Sequence, residues 1–214
     1  MSVKKGNVER FLNLDKDKQN RIINAALEEF QYGYKKASTD AMVKKAGVSK
    51  GLIFHYFGSK EGLYNFIIDY AHDLLEVDYF DALKLGGNDI LESIWQVAQR
   101  REDVSQVHPH IYNFLATLYI HIADNPRPEM AKVYETRYKN MLSELYNRCD
   151  LTLFRDDIDP KIAMDIIMCT LENFHTIYSG FDSDNWTDMS DDEHNAFLEE
   201  TKKYLDVFRR CFYK

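Results

Sequence analysis

The chain has 214 residues, 45% of them hydrophobic and 29% charged, with 27 Lys and Arg against 35 Asp and Glu for a formal net charge of −8. That length and apolar content suit one small and one medium core. No apolar run approaches the ~20 residues of a membrane span, the opening MSVKKGNVER has no apolar signal core, and a cytoplasmic protein is expected. The three cysteines, Cys149, Cys169 and Cys211, are far apart and form no Cys-x-x-Cys pair, so neither a disulfide framework nor metal or redox chemistry is expected of them.

Every long segment reads as helix and nothing alternates with period two, so the expected fold class is all-α. No proline precedes Pro109, which leaves the first half open to a continuous run of helices. A first helix is expected over Lys16 to Gln31, with Ile23, Ala26, Leu27 and Phe30 as its buried stripe. Ser38 then caps a two-turn helix whose apolar residues are Ala41, Met42, Val43 and Ala46. Gly47 ends it, because a residue just past a helix terminus often takes a left-handed conformation that glycine adopts without a Cβ penalty. Ser49 caps the next short helix, Lys50 to Phe57, anchored by Ile53 and Phe57 four residues apart. Ser59 starts a long helix reaching about residue 84, with Leu63, Phe66, Ile67, Tyr70 and Leu74 on its apolar side, and Gly86-Gly87 breaks it.

Beyond it, helices are expected over Asp89–Arg101, Pro109–Ala123, Glu129–Arg148, Pro160–Ser179 and Asp191–Phe212. Asn125-Pro126-Arg127-Pro128 separates two of them, and Pro160 after Asp159 is a strong helix start. The acidic stretch from Ser183 to Glu193 reads as a solvated loop.

A helix, a tight glycine turn and a second helix make a helix-turn-helix. The second of these helices, buried on Ile53 and Phe57, presents Lys50, Leu52, His55 and Tyr56 on its other face. A cation, an imidazole and a hydroxyl on one short helix suit a recognition helix entering the major groove. Gly51 permits close backbone approach, and the helix start at Ser59 with Lys60 suits a phosphate. Charge supports this reading. Residues 1–60 hold 12 Lys and Arg against 6 Asp and Glu, leaving 15 against 29 for the rest, so a basic module that meets polyanions is joined to an acidic one.

These residues together resemble the DNA-binding domain of the TetR family of bacterial transcriptional regulators. The matching features are Gly33-Tyr34, the turn Ala46-Gly47-Val48, Ser49-Lys50-Gly51, the run Phe54-His55-Tyr56-Phe57, and Ser59-Lys60-Glu61. The resemblance implies DNA-backbone contacts from Ser38, Thr39, His55, Tyr56 and Lys60, with Ser49, Lys50, Gly51 and Leu52 nearest the bases. Phe54 is also expected at the DNA interface but stands where the family often has tyrosine, and Ala37 stands where it often has threonine, so a hydroxyl contact is lacking at each. Leu52 offers a thymine methyl contact or shape readout only.

The resemblance also implies a helix-turn-helix domain over residues 1–60 joined through a long helix to an effector-binding and dimerisation domain over 61–214. The last two helices would pair with those of a second copy, through Ile166, Phe174, Tyr178, Tyr204, Phe208 and Phe212, although the same stripes serve equally as ordinary core. The middle helices would enclose a small-molecule effector with Trp95, Tyr112, Tyr119, Tyr138, Met141, Met168 and His175, and Glu172 as counter-charge to a cationic ligand. Aromatic and methionine stripes at helical spacing are also plain packing. His108, His110 and His121 lack metal-ligand spacing, and no nucleophile elbow, phosphate loop or dinucleotide fingerprint appears. The expectation is therefore a non-enzymatic, cofactor-free homodimeric repressor, bound to a palindromic duplex operator and released by a small molecule. A regulator controlled by a partner protein, and a ligand-binding or enzymatic helical protein with a vestigial helix-turn-helix, are the competing readings.

Overall fold

The computed structural model describes residues 5–120, 126, 129–172 and 191–214. Among the described residues there is no β-strand, and ten α-helices follow one another. They are α1 (Lys5–Leu12), α2 (Lys16–Phe30), α3 (Thr39–Ala46), α4 (Lys50–Phe57), α5 (Lys60–Gly86), α6 (Ile90–Val107), α7 (Ile111–Ile120), α8 (Glu129–Arg148), α9 (Pro160–Glu172) and α10 (Asp191–Phe212). The all-α expectation holds.

Three boundaries differ from the sequence reading. Helix α1 was not expected, since eight residues with few apolar positions give no clear period by themselves. Helix α6 continues six residues past Arg101 to Val107, and α7 begins at Ile111 because Pro109 and His110 lie in a turn closed by the Ile111 amide donating to the His108 carbonyl at 3.1 Å. The expected extensions of α7 to Ala123 and of α9 to Ser179 lie outside the described residues.

The helices gather into two compact units that do not follow chain order, Met1–Glu76 with Val104–Tyr138, and Val77–Asp103 with Lys139–Lys214. The first therefore continues past residue 60. Its core joins Phe11 of α1, Leu27 and Phe30 of α2, Ile53 and Phe57 of α4, Ile67 of α5 and Phe114 of α7. Each such side chain stabilises the fold by about 1.5–3 kcal/mol when fully buried. Phe30 meets Tyr64 edge-on, with ring centroids 4.8 Å apart, and stands 6.4 Å from Phe114.

The second unit packs Ile90, Leu91, Leu145, Phe154, Ile167 and Phe208 around a polar knot at Asp89. Asp89 caps α6 by accepting from the Leu91 amide at 2.9 Å, and also accepts from Tyr213 Oη at 2.8 Å and Arg209 Nη1 at 2.9 Å. Burial by itself would raise the Asp89 carboxyl, but the hydrogen bonds from Tyr213 and Arg209 bring it below the ordinary value. The knot ties the chain's last residues to the start of α6. Lys214 N donates to Leu153 O, and Arg155 N to Phe212 O.

Candidate nucleic-acid interface

The local folding of the helix-turn-helix can be read bond by bond. Ser38 has extended backbone, and its Oγ accepts from the Ala41 amide at 3.3 Å, as an N-cap should. The Ser38 amide itself donates to Glu29 Oε2 at 3.0 Å, which fixes the start of α3 to α2. At the other end Gly47 takes φ 65°, and its amide together with that of Val48 closes the last turn of α3. Arg21 of α2 donates to the Ala46 carbonyl at 3.1 Å, and Lys45 reaches Glu28 at 2.7 Å and Glu29 at 3.2 Å. The Lys45 ammonium is raised by its hydrogen bond to Glu28. Helix α3 is thus held to α2 at both ends by polar contacts, while Met42 and Ala46 bury its inner face.

Ser49 caps α4 through the Leu52 amide at 3.2 Å. Of the helix's residues, Ile53 and Phe57 are buried, as expected, while Lys50, Gly51, Phe54 and His55 are exposed and Leu52 is half-buried. Lys50, Gly51, Phe54 and His55 thus remain on the open side of a helix anchored from beneath, while Leu52 is half-buried against the first core.

Tyr56 departs from the expectation that it stands on that open face. It is 8% exposed, with its ring 5.7 Å from Phe11 and 6.2 Å from Phe57. The surface that covers it is α1, the helix the sequence did not disclose. Lys60 departs too. Its Nζ donates to the Ala37 carbonyl at 2.6 Å and lies 4.7 Å above the Tyr34 ring. Burial pushes the ammonium down from its ordinary value. Lys60 thus ties the loop before α3 to the start of α5, a structural use that the spacing alone did not reveal.

Lys50 has a partner the sequence reading missed: Asp40 Oδ1 of α3, at 2.9 Å. Both side chains are largely exposed, and a pair of this kind contributes less than about 1 kcal/mol. A phosphate or a guanine edge can therefore draw Lys50 away at small cost. Ser38 is exposed and Thr39 is half-buried.

The residues expected around an effector divide between the units. Tyr112 packs against the first core, and Trp95 and Met168 against the second, with Lys202 Nζ 5.6 Å over the Trp95 ring. Tyr119, Tyr138, Met141 and Glu172 lie on α7, α8 and α9, while their side chains and the whole of His175 lie outside the described residues. A shallow surface depression in the second unit is lined by Gly87, Asn88, Ile90, Ser93, Leu145, Arg148 and Cys149, none of them an expected effector residue.

Of the residues expected at a dimer interface, Ile166 is 45% exposed, and Ile162 one turn before it is 57% exposed. Tyr204 and Phe212 are half-buried against the second core. Phe208 is buried within one copy, because α10 turns Leu205 and Phe208 together onto that core, leaving Val207 outward. Phe174 and Tyr178 lie outside the described residues.

Residues 22–66 match the family model described as bacterial regulatory proteins, tetR family. Among solved structures, the ketosteroid transcriptional regulator KstR2 of Mycobacterium tuberculosis is similar at TM-score 0.62 and 17% identity, over 94% of this chain and 97% of that one. The TetR-family regulator PfmR of Thermus thermophilus is similar at TM-score 0.57 and 21% identity, over 89% and 97%. A TetR-family regulator of Chloroflexus aurantiacus gives TM-score 0.53 and 15% identity, over 96% and 98%. At these identities the likeness is one of fold. No curated protein sequence matches the chain.

Proposed function

We propose that this chain, which by residues 22–66 carries the helix-turn-helix of the tetR family of bacterial regulatory proteins, is a homodimeric repressor that a small molecule releases from its operator. The observation that carries the DNA-binding part is α4 itself. Ile53 and Phe57 bury one side of it, while Lys50, Gly51 and His55 are exposed and Leu52 keeps part of its surface open.

The proposed contacts follow from chemistry. Lys50, released from Asp40, meets a guanine edge or a phosphate, and Leu52 packs on a thymine methyl. Ser38, Thr39 and His55 hold the backbone on either side. One such helix reads only a few base pairs. Two copies related by a twofold axis would read half-sites about 34 Å or a multiple apart, and the outward Ile162 and Ile166 of α9 offer apolar area for that pairing.

Release is assigned to α5, which starts beside α4 and whose last ten residues, 77–86, belong to the second unit. An effector that prefers the arrangement with α5 displaced would draw the recognition helices out of register. To shift the population fully it must prefer that arrangement by about 5 kcal/mol.

Selection of bound duplexes from a random pool tests the reading directly. A palindrome with two half-sites is the expected product, and a pool that stays random overturns it. On the recovered site, Lys50→Ala is expected to weaken binding about tenfold and to flatten the dependence of log K on log salt by roughly 1 per subunit. An unchanged affinity together with an unchanged slope would remove Lys50 from the interface.

A further inference from the structure

Helix α1 lies ahead of the segment that matches the family model, which begins at residue 22, yet it packs directly on the recognition helix. Asn7 and Phe11 join them. Asn7 Nδ2 donates to the His55 carbonyl at 2.9 Å, and Phe11, fully buried, sets its ring 5.7 Å from that of Tyr56 and 4.9 Å from that of Phe57. Phe11 also meets Phe66 of α5 at 5.2 Å. The link from α1 to α2 is itself pinned, since the buried Gln19 donates from Nε2 to both Leu12 O at 3.0 Å and Leu14 O at 2.7 Å.

The last four carbonyls of a helix have no partner inside it, and α4 has only eight residues. An isolated helix so short does not hold its shape in water. Phe54 O takes the Gly58 amide at 2.9 Å, and His55 O takes Asn7. The C-terminal turn of α4 is therefore capped from another helix, at the residue that carries the imidazole.

On the DNA-binding reading above, we infer that Asn7 is a positioning residue for operator recognition, and that α1 braces α4 so that His55 meets the DNA backbone in one orientation. The two side chains at the end of α4, His55 and Tyr56, have ring centroids 5.2 Å apart, and α1 grips one by its carbonyl and the other by its ring. Without the Asn7 amide, the His55 carbonyl turns to water and the final turn of α4 frays.

The test is a double-mutant cycle on the operator recovered by selection, using the full chain, with thermal melts run in parallel and affinities measured well below the melting range. Asn7→Ala and the size-matched Asn7→Leu both lack the donor. Each is expected to weaken operator binding about fivefold and to weaken random duplex as well, because a backbone contact is made on any sequence. If Asn7 acts through His55, Asn7→Ala added to His55→Ala causes no further loss, because the two share one interaction. Operator affinity unchanged in both Asn7 variants overturns the inference, as do losses that multiply across the cycle. A wild-type chain that selects no duplex removes the DNA-binding reading and this inference together, whereas wild-type binding with silent Asn7 variants removes the inference alone.

Discussion

Gly86→Ala will unfold the second unit at a markedly lower temperature than the parent chain. A Cβ built on Gly86 stands 2.3 Å from Ser93 Cα and 2.5 Å from Ser93 N. Those are backbone atoms of the first turn of α6, and no rotamer change moves them away. The two helices would have to separate by more than an ångström in a buried position, and overpacking of this kind costs about 3 kcal/mol or more. At roughly 2–4 °C per kcal/mol for a chain of this size, the midpoint should fall by about 6–12 °C. The neighbouring Gly87→Ala is the control. Its φ is 63° but nothing lies within 4 Å of the added methyl, so only the left-handed conformation is penalised, at about 1 kcal/mol. Equal losses in the two variants would show that close approach of α6 is not what requires Gly86.

Acid will weaken the first unit between about pH 6.5 and pH 4, and His108 is the reason. Its ring is 2% exposed. Nδ1 lies 2.6 Å from Asn24 Oδ1, and Nε2 lies 2.8 Å from Tyr70 Oη. Asn24 Nδ2 donates to the Val107 carbonyl at 2.9 Å, so Asn24 Oδ1 faces His108 as an acceptor. That assigns the proton to Nδ1 and leaves Nε2 to accept from the tyrosine hydroxyl. A neutral imidazole satisfies every bond, whereas a second proton would turn both ring nitrogens into donors and leave the Tyr70 hydroxyl facing an N–H. Burial brings the His108 pKa down to about 4.

Between the two pKa values the unfolded chain binds the proton and the folded chain does not, so stability rises with pH across that window. The contribution is complete above about pH 6.5 and disappears as the pH falls through the folded value. Its full size is about 3 kcal/mol, at 1.36 kcal/mol for each pH unit between about 6.5 and 4. Denaturant titrations from pH 4 to pH 7 read it directly. His108→Gln, which cannot take up a proton, should flatten that portion of the profile. His108→Phe should cost about 1–2 kcal/mol at pH 7, because it removes the ring that donates to Asn24 and accepts from Tyr70. A parental slope persisting in His108→Gln would assign the acid sensitivity to another group.

The same residue shows where the sequence stopped being readable. From the chain alone, His108 was one of three histidines lacking a metal-ligand spacing, with no assigned role. Its partners, Asn24 and Tyr70, lie 84 and 38 residues away, beyond any local pattern. The helix-turn-helix was legible for the opposite reason. Ser38, Gly47, Ser49 and Ser59 act within three residues of themselves, as caps and a left-handed turn, and such chemistry is written locally. Ile53 and Phe57 were legible by helical spacing. Tyr56 and Lys60 were not, because what buries them comes from elsewhere: Phe11 on an unforeseen helix, and the Ala37 carbonyl 23 residues before Lys60. For Phe208 a stripe shows that a face is apolar but not whether its own chain or a second copy covers it, and α10 turns this residue onto the second core.

The interleaving of the first unit bears on its synthesis. Phe30 and Leu27 sit in a core completed by Ile111, Phe114 and Leu118, which leave the ribosome some eighty residues after them. Residues 77–103, which belong to the other unit, emerge in between. The apolar floor beneath the recognition helix therefore waits, incomplete, while that intervening stretch is made. Nascent chains arrested before Ile111 should be open to protease at α2, and chains arrested well after Leu118 should be resistant.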